Sequence, residues 1–378
     1  MAELPRVISR SALIIISCAL VVALVLPVAS CAPKVPEEAV PVVNVRIHSQ
    51  MPVGHYVTEA VDLFIKEAEA RSKGTLKFAH YPSQQLYKDL EMVSVLPTGG
   101  VEMAQISSLM FFGKVPEVTG AALLGSFETY DHAVRFSYDL DHGGGYTSEV
   151  LDQAFEEKAN IKLLSYICYS PSAVMGTIKP VHKVEDYKGL KIRSLGKSVS
   201  VLIDAVGAVS VIMSAADMYM SLQRGVIDGV FTGITSIHER KLYEVTKHVQ
   251  DFGLFVPSAF SLAANLDFWN KLAPLQKKAI LEAALIAEIY STERAIEGEG
   301  EARKALLDKG IEVYDFPPTE REKFYGLVRP AIISMVKNDL GEELGSKLEA
   351  MVKATRDAKT TWQDCSEQNN KRLLAEIE

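Results

Sequence analysis

Apolar positions along this chain repeat with two periods, and each change of period marks an element. Val42 to Ile47 alternates as a strand does. Tyr56 to Ser72 switches to helical spacing, with Val57, Ala60, Val61, Phe64, Ile65 and Ala68 on one face and Gly74 beyond the end. Leu76 to Tyr81 reads as a second strand, Asp89 to Leu96 as a short helix broken by Pro97 and Gly99-Gly100, and Met103 to Ile106 as a third strand. The same succession returns further on. A strand at 191–193 is followed by a helix from Val199 to Val206 that Gly207 stops, then a short buried strand from Val209 to Met213. A helix from Met218 to Gly225 and a strand from Val226 to Phe231 complete it. Two β-α-β-α-β runs predict two sheets of parallel strands with helices across them.

Between the runs, Phe111 to Phe127 is irregular and apolar. Helices follow at Tyr130 to Asp139 and Ser148 to Lys158, and Ile161 to Tyr166 is a strand leaving the first unit. After the second run, Val249 to Phe255 and Ser261 to Asn265 read as strands crossing back. From Pro274 to about Leu307 the pattern stays helical, with Gly298 and Gly300 as its only weak points. At 1.5 Å per residue that is about 50 Å, long enough to span both units. Ile311 to Phe316 is one more strand, and Pro318 to the end reads as two or three charged amphipathic helices forming an outer brace.

The amino terminus stands apart from this pattern. Arg6 and Arg10 precede an apolar run from Ala12 to Leu26, short for a bilayer span of about 20 residues, and Val28-Ala29-Ser30-Cys31 sets small residues before a cysteine. The arrangement resembles a bacterial lipobox, in which Cys31 becomes the lipidated first residue. Ala32 to Pro41 carries three prolines and two glutamates and reads as an extended tether. The full chain, 48% apolar and 23% charged, has the composition of a globular protein with ample core, and its net charge of −8 makes nucleic acid a poor partner. Cys168 and Cys365 are the remaining cysteines once Cys18 leaves with the leader; their pairing depends on whether the fold brings them together.

Enzyme-like strings do not hold. His142-Gly143-Gly144-Gly145 has the look of an oxyanion loop, but no G-x-S-x-G elbow accompanies it. Gly196-Lys197-Ser198 lacks the glycine five positions earlier that a phosphate loop needs, since Lys191 stands there. No histidines fall at metal-ligand spacing, and no cofactor or metal is expected. Arg193 is different: it sits at the carboxyl end of an apolar strand, where open α/β sheets place ligands, and its guanidinium fork can give a carboxylate two parallel hydrogen bonds.

The stretch around Arg193 also carries a resemblance. Asp186-Tyr187-Lys188-Gly189-Leu190-Lys191-Ile192-Arg193, followed by Met213 through Asp217, Tyr219, Leu222, Gln223, Gly225, Asp228 and Gly229, resembles the central motif of DctP-like solute receptors of tripartite ATP-independent periplasmic (TRAP) transporters. Pro82-Ser83-Gln84-Gln85-Leu86 is similar to a turn of the same family, and weaker likeness runs from about Val42 to Phe316. The resemblance implies an α/β two-lobed periplasmic-binding-protein fold (type II-like), with hinge strands and a long helix spanning both lobes. It divides the chain into a lipoprotein signal peptide (1–30), a tether (31–41), lobe I (42–166 plus 252–290), lobe II (167–251 plus 291–340) and a C-terminal helical brace (341–378).

By the same resemblance, Arg193 grips the carboxylate of a small organic acid. Tyr219, Asp89, Ser107 and His55 stand at or near family site positions. Thr232 replaces a common asparagine, and Ala215 a common aromatic, which leaves Tyr169 and Phe231, with Tyr56, to line the site; no second arginine precedes Lys179-Pro180. The implied function is an extracytoplasmic, non-enzymatic receptor, lipid-anchored through Cys31, that delivers its acid to the small and large permease subunits. A ligand-sensing lipoprotein for a receptor kinase and, further off, a secreted hydrolase are the competing readings.

Overall fold

The computed structural model of the protein describes residues 40–256 and 260–377. The expected signal peptide, Cys31 and all of the tether except Val40 and Pro41 lie outside the described residues. Among them, eleven strands form two sheets: β1 (Val43–His48), β2 (Leu76–Tyr81), β3 (Met103–Ser107), β4 (Ile161–Tyr166), β5 (Ser172–Thr177), β6 (Lys191–Ser194), β7 (Val209–Ile212), β8 (Gly229–Thr232), β9 (His248–Phe255), β10 (Phe260–Asn265) and β11 (Glu312–Asp315). The first sheet has the order β2-β1-β3-β10-β4 and the second β11-β9-β5-β8-β6-β7. Both β-α-β-α-β runs are parallel as expected: β1 pairs in parallel with β2 and β3, and β6 with β7 and β8.

Two details differ from the sequence expectation. The strand Val209–Ile212 is not buried; it is the last strand of its sheet, and Val209 and Ile212 are 50% and 44% exposed because one edge has no neighbour. The stretch Asp89 to Leu96 is a 3-10 turn (Asp89–Glu91) followed by a single α turn (Met92–Val95) instead of one helix. The strand β5 has no expectation behind it, because its sequence, SAVMGT, does not alternate; it is buried on both faces between β8 and β9.

The chain passes between the sheets three times, from β4 to β5, from β9 to β10 and, through a long helix, from β10 to β11; residues at the ends of the first two crossings bond each other. Val256 N–H donates to the Pro171 carbonyl at 3.2 Å and Ile167 N–H to that of Phe260 at 3.0 Å. Helices cover the sheets: α1 (Tyr56–Arg71), α2 (Tyr130–Tyr138), α3 (Lys197–Ala205), α4 (Ile234–Glu239), α5 (Pro274–Asp308), α6 (Pro318–Leu340), α7 (Glu342–Thr355) and α8 (Trp362–Ala375). The long helix α5 runs unbroken through both glycines and packs on α1, α8 and β4 of one lobe and on α4 and β11 of the other.

The same helix grips the β4–β5 crossing. Glu288 Oε2 accepts from Tyr166 N–H at 3.3 Å, Ser291 Oγ from Cys168 N–H at 3.1 Å, and Glu299 Oε1 from Ser172 N–H and the Ser170 hydroxyl, both at 3.0 Å. At the carboxyl terminus, α6 packs on α3 while α7 and α8 pack on α2. Arg135 of α2 donates to the Thr355, Thr360 and Arg356 carbonyls at 2.8–3.1 Å, closing the α7 end against the first lobe. Cys168 and Cys365 are buried and free.

Glu288 is 3% exposed, and burial pushes its carboxyl up to about 7, against the pull of the Ser366 hydroxyl and the Tyr166 N–H. A folded-state value above the ordinary 4.5 means that protonation favours the fold, so this contribution is fully present below pH 4.5 and lost as the pH rises through 7. Glu288→Gln is therefore expected to stabilise the protein at pH 8 by on the order of 2–3 kcal/mol, with the gain shrinking toward pH 5; urea denaturation at both pH values measures it.

Candidate functional site

A cleft opens between the lobes at the carboxyl ends of parallel strands from both sheets, the place where open α/β sheets bind ligands. About 650 Å³ of space, open solvent at its mouth included, lies between its walls. The first lobe contributes Gln50 and Met51 after β1, Asp89, and Leu109 and Met110 after β3. The second contributes Arg193 and Leu195, Ala215, Phe231 and Thr232 at the end of β8, and Arg240 after α4. Tyr166, Tyr169 and Ser170 of the crossing form its back.

Arg193 is 4% exposed and framed by carbonyls: Nε donates to Met213 O at 3.1 Å and Nη1 to Phe231 O at 3.3 Å. Burial lowers its pKa to about 10, and Asp89 is the acid that acts most strongly to raise it again. Among the described residues, no carboxylate lies within ion-pairing distance of the guanidinium. Asp89 is itself buried and reaches across the cleft, Oδ2 accepting from Ala215 N–H at 3.2 Å and Oδ1 from Leu90 N–H at 2.9 Å. Tyr169 and Thr232 share a hydroxyl hydrogen bond of 2.8 Å. Arg240 Nη2 donates to Gln50 O at 3.4 Å and lies 3.0 Å from Met51 Sδ, while Arg240 Nε and Gln50 Nε2 are buried without a protein partner.

Of the residues expected at the site, Arg193, Asp89, Thr232, Tyr169 and Phe231 line the cleft together. Three do not. Tyr219 sits one position round its helix from the inward pair Met218 and Leu222, so its hydroxyl reaches Glu244 at 2.7 Å near solvent instead of the cleft. Ser107 ends β3, buried in the sheet behind the cleft wall. His55 caps α1, Nδ1 accepting from Val57 N–H at 3.0 Å, and its Nε2 lies 2.7 Å from Glu239 of the other lobe. Burial lowers the His55 pKa, against the pull of the Glu239 carboxylate. Tyr56 supports the wall from behind, its hydroxyl donating to the Tyr169 carbonyl. Sequence reasoning missed Arg240 and Gln50; the signal available for Arg240 was a cation just past a short apolar helix that opens at Gly233 after a strand.

The family model of bacterial extracellular solute-binding proteins, family 7 (DctP), matches residues 47–339. The chain belongs to that family. The resemblance of the central motif to solute receptors of TRAP transporters is thereby borne out, and the family is one of binding proteins, not enzymes. The family 7 chain is 28% identical over 299 residues to the C4-dicarboxylate-binding periplasmic protein DctP of Rhodobacter capsulatus, a match that spans 77% of this chain and 84% of the relative. Its two-sheet architecture with a long helix is shared with two TRAP periplasmic solute-binding proteins. One is from Desulfovibrio salexigens with bound orotic acid (TM-score 0.74, 18% identity, 87% of this chain and 99% of that one). The other is from Shewanella oneidensis with bound succinate (TM-score 0.74, 22% identity, 82% and 99%). At these identities the likeness is one of fold.

The His55–Glu239 contact ties the two lobes from outside the cleft wall. His55→Ala removes both the helix cap and this tie, and is expected to cost about 1–2 kcal/mol of stability, read as a lower urea midpoint at pH 7.

Proposed function

We propose that this family 7 protein is the extracytoplasmic receptor of a TRAP transporter that holds a small organic acid by a bidentate contact between its carboxylate and Arg193, closes over it, and presents it to the small and large permease subunits. The reading includes a lipid anchor on Cys31, with residues 31–41 as its tether and the lobes divided as expected from the sequence. The single observation that carries it is the buried Arg193 guanidinium, aimed into the interlobe cleft with only carbonyls for partners. Desolvating a cation costs several kcal/mol, and a ligand carboxylate recovers part of that cost through charge-assisted hydrogen bonds.

The hinge follows from the same geometry. A ligand that touches Arg193 on one lobe and the Gln50–Asp89 side on the other favours the closed form by its difference in affinity for the two states, as in hinge closure of periplasmic binding proteins generally. The paired crossings and the long helix give that motion a narrow axis.

Thermal unfolding of the full chain in lipid nanodiscs against a panel of carboxylic acids tests the proposal. A binding acid at about a hundred times its Kd adds roughly 2.7 kcal/mol and raises the midpoint by several degrees. Arg193→Met is expected to abolish the shift, and Arg193→Lys, which keeps the charge without the fork, to weaken it by about tenfold or more in Kd. Retained binding in a folded Arg193→Met variant contradicts the proposal.

A further inference from the structure

Resting on the carboxylate reading above, we infer that the ligand is a monocarboxylate with an apolar body, and neither a dicarboxylate nor a sugar acid. The charged residues of the lining are few, Arg193, Arg240 and Asp89. Asp89 and Arg240 are the charged groups that act on Arg193, so both cations and the one acid of the wall lie near each other. Much of the remaining wall is apolar: Leu109 and Met110 from the first lobe, Leu195 and Val199 from the second, and Phe260, all at most 8% exposed. None of these can meet a second carboxylate, and an unpaired carboxylate among them carries a desolvation penalty of several kcal/mol. Nη2 of Arg240 is already engaged by Gln50 O and Met51 Sδ, and Arg240 is one of the charged groups that act on Arg193.

The hydroxyls of the wall already have protein partners. Tyr169 and Thr232 bond each other, and Ser170 and Ser172 both donate to Glu299 on the long helix. A polyhydroxylated acid needs a partner for each hydroxyl it buries, and the spare polar groups of this wall are few: Arg240 Nε, Gln50 Nε2 and the one O–H that the Tyr169–Thr232 pair leaves over. An apolar chain needs none, and it completes a seam in which apolar residues of the two lobes already face each other. Closure is then driven by charge at the carboxylate and by apolar burial of the rest of the ligand.

Isothermal titration calorimetry of the full chain in lipid nanodiscs, with the n-alkanoates from butanoate to hexanoate, adipate as the six-carbon dicarboxylate, and D-glucuronate, tests this. Expected are a Kd that falls about threefold to fourfold per added methylene and a hexanoate Kd at least about tenfold below those of adipate and glucuronate. Leu195→Arg, a cation placed in the apolar wall, is expected to narrow or reverse the preference for hexanoate over adipate. Tighter binding of adipate or glucuronate, abolished by Arg193→Met, overturns the apolar monocarboxylate while leaving the carboxylate receptor standing. Binding of none of the acids overturns both.

Discussion

A guanidinium that is 4% exposed and has no carboxylate within ion-pairing reach is costly to hold, and much of the second lobe is arranged around holding it. Arg193 lies on β6, an inner strand between β7 and β8, and its side chain is steadied by carbonyls at the ends of both neighbours: Met213 just past β7 and Phe231 in β8. Strands this short expose little backbone, so their parallel register fixes where those carbonyls stand. The nearest compensating charge comes from the opposite lobe, through Asp89, whose own oxygens are tied to the Ala215 and Leu90 N–H groups. The cation therefore belongs to one lobe and its electrostatic environment to both, which is why the proposed function couples lobe closure to anion binding.

The rest of the architecture limits how the lobes can move. Residues flanking the β4–β5 and β9–β10 crossings share hydrogen bonds, and α5 lays Glu288, Ser291 and Glu299 along the first of them. Burial raises the carboxyls of both Glu288 and Glu299, so the hinge is built with acids held against their preference for water. Their acceptor oxygens satisfy backbone N–H groups of a segment that has left one sheet and not yet joined the next. The same helix packs on both lobes while it holds the segment between them.

Much of this was legible in the sequence, and the failures have physical causes. Both parallel runs, the long helix from Pro274 and the crossing strands follow from hydrophobic period and from glycine and proline positions, because each element buries one face against one sheet. The strand β5 escaped because a strand buried on both faces has no alternation to read, and the exposure of β7 because edge position is a property of the sheet, not of the strand. At the site, Arg193 was found from its place near the carboxyl end of an apolar strand and from the family motif, and Thr232 from the family motif alone. Arg240 and Gln50 were not, since they reach the cleft from loop positions that only the packed lobes bring together. Tyr219 shows the converse: a motif position fixes the backbone, but a turn of about 100° round the helix decides which way the side chain goes.

The most direct measurement is a crystal structure of the protein with a bound acid selected by its affinity. The carboxylate is expected on Arg193, both oxygens about 2.8 Å from guanidinium nitrogens, with the bonds to the Met213 and Phe231 carbonyls kept. A ligand whose carboxylate lies elsewhere in the cleft, with Arg193 still bonded only to those two carbonyls, would contradict the claim that this buried cation is the organising charge of the site.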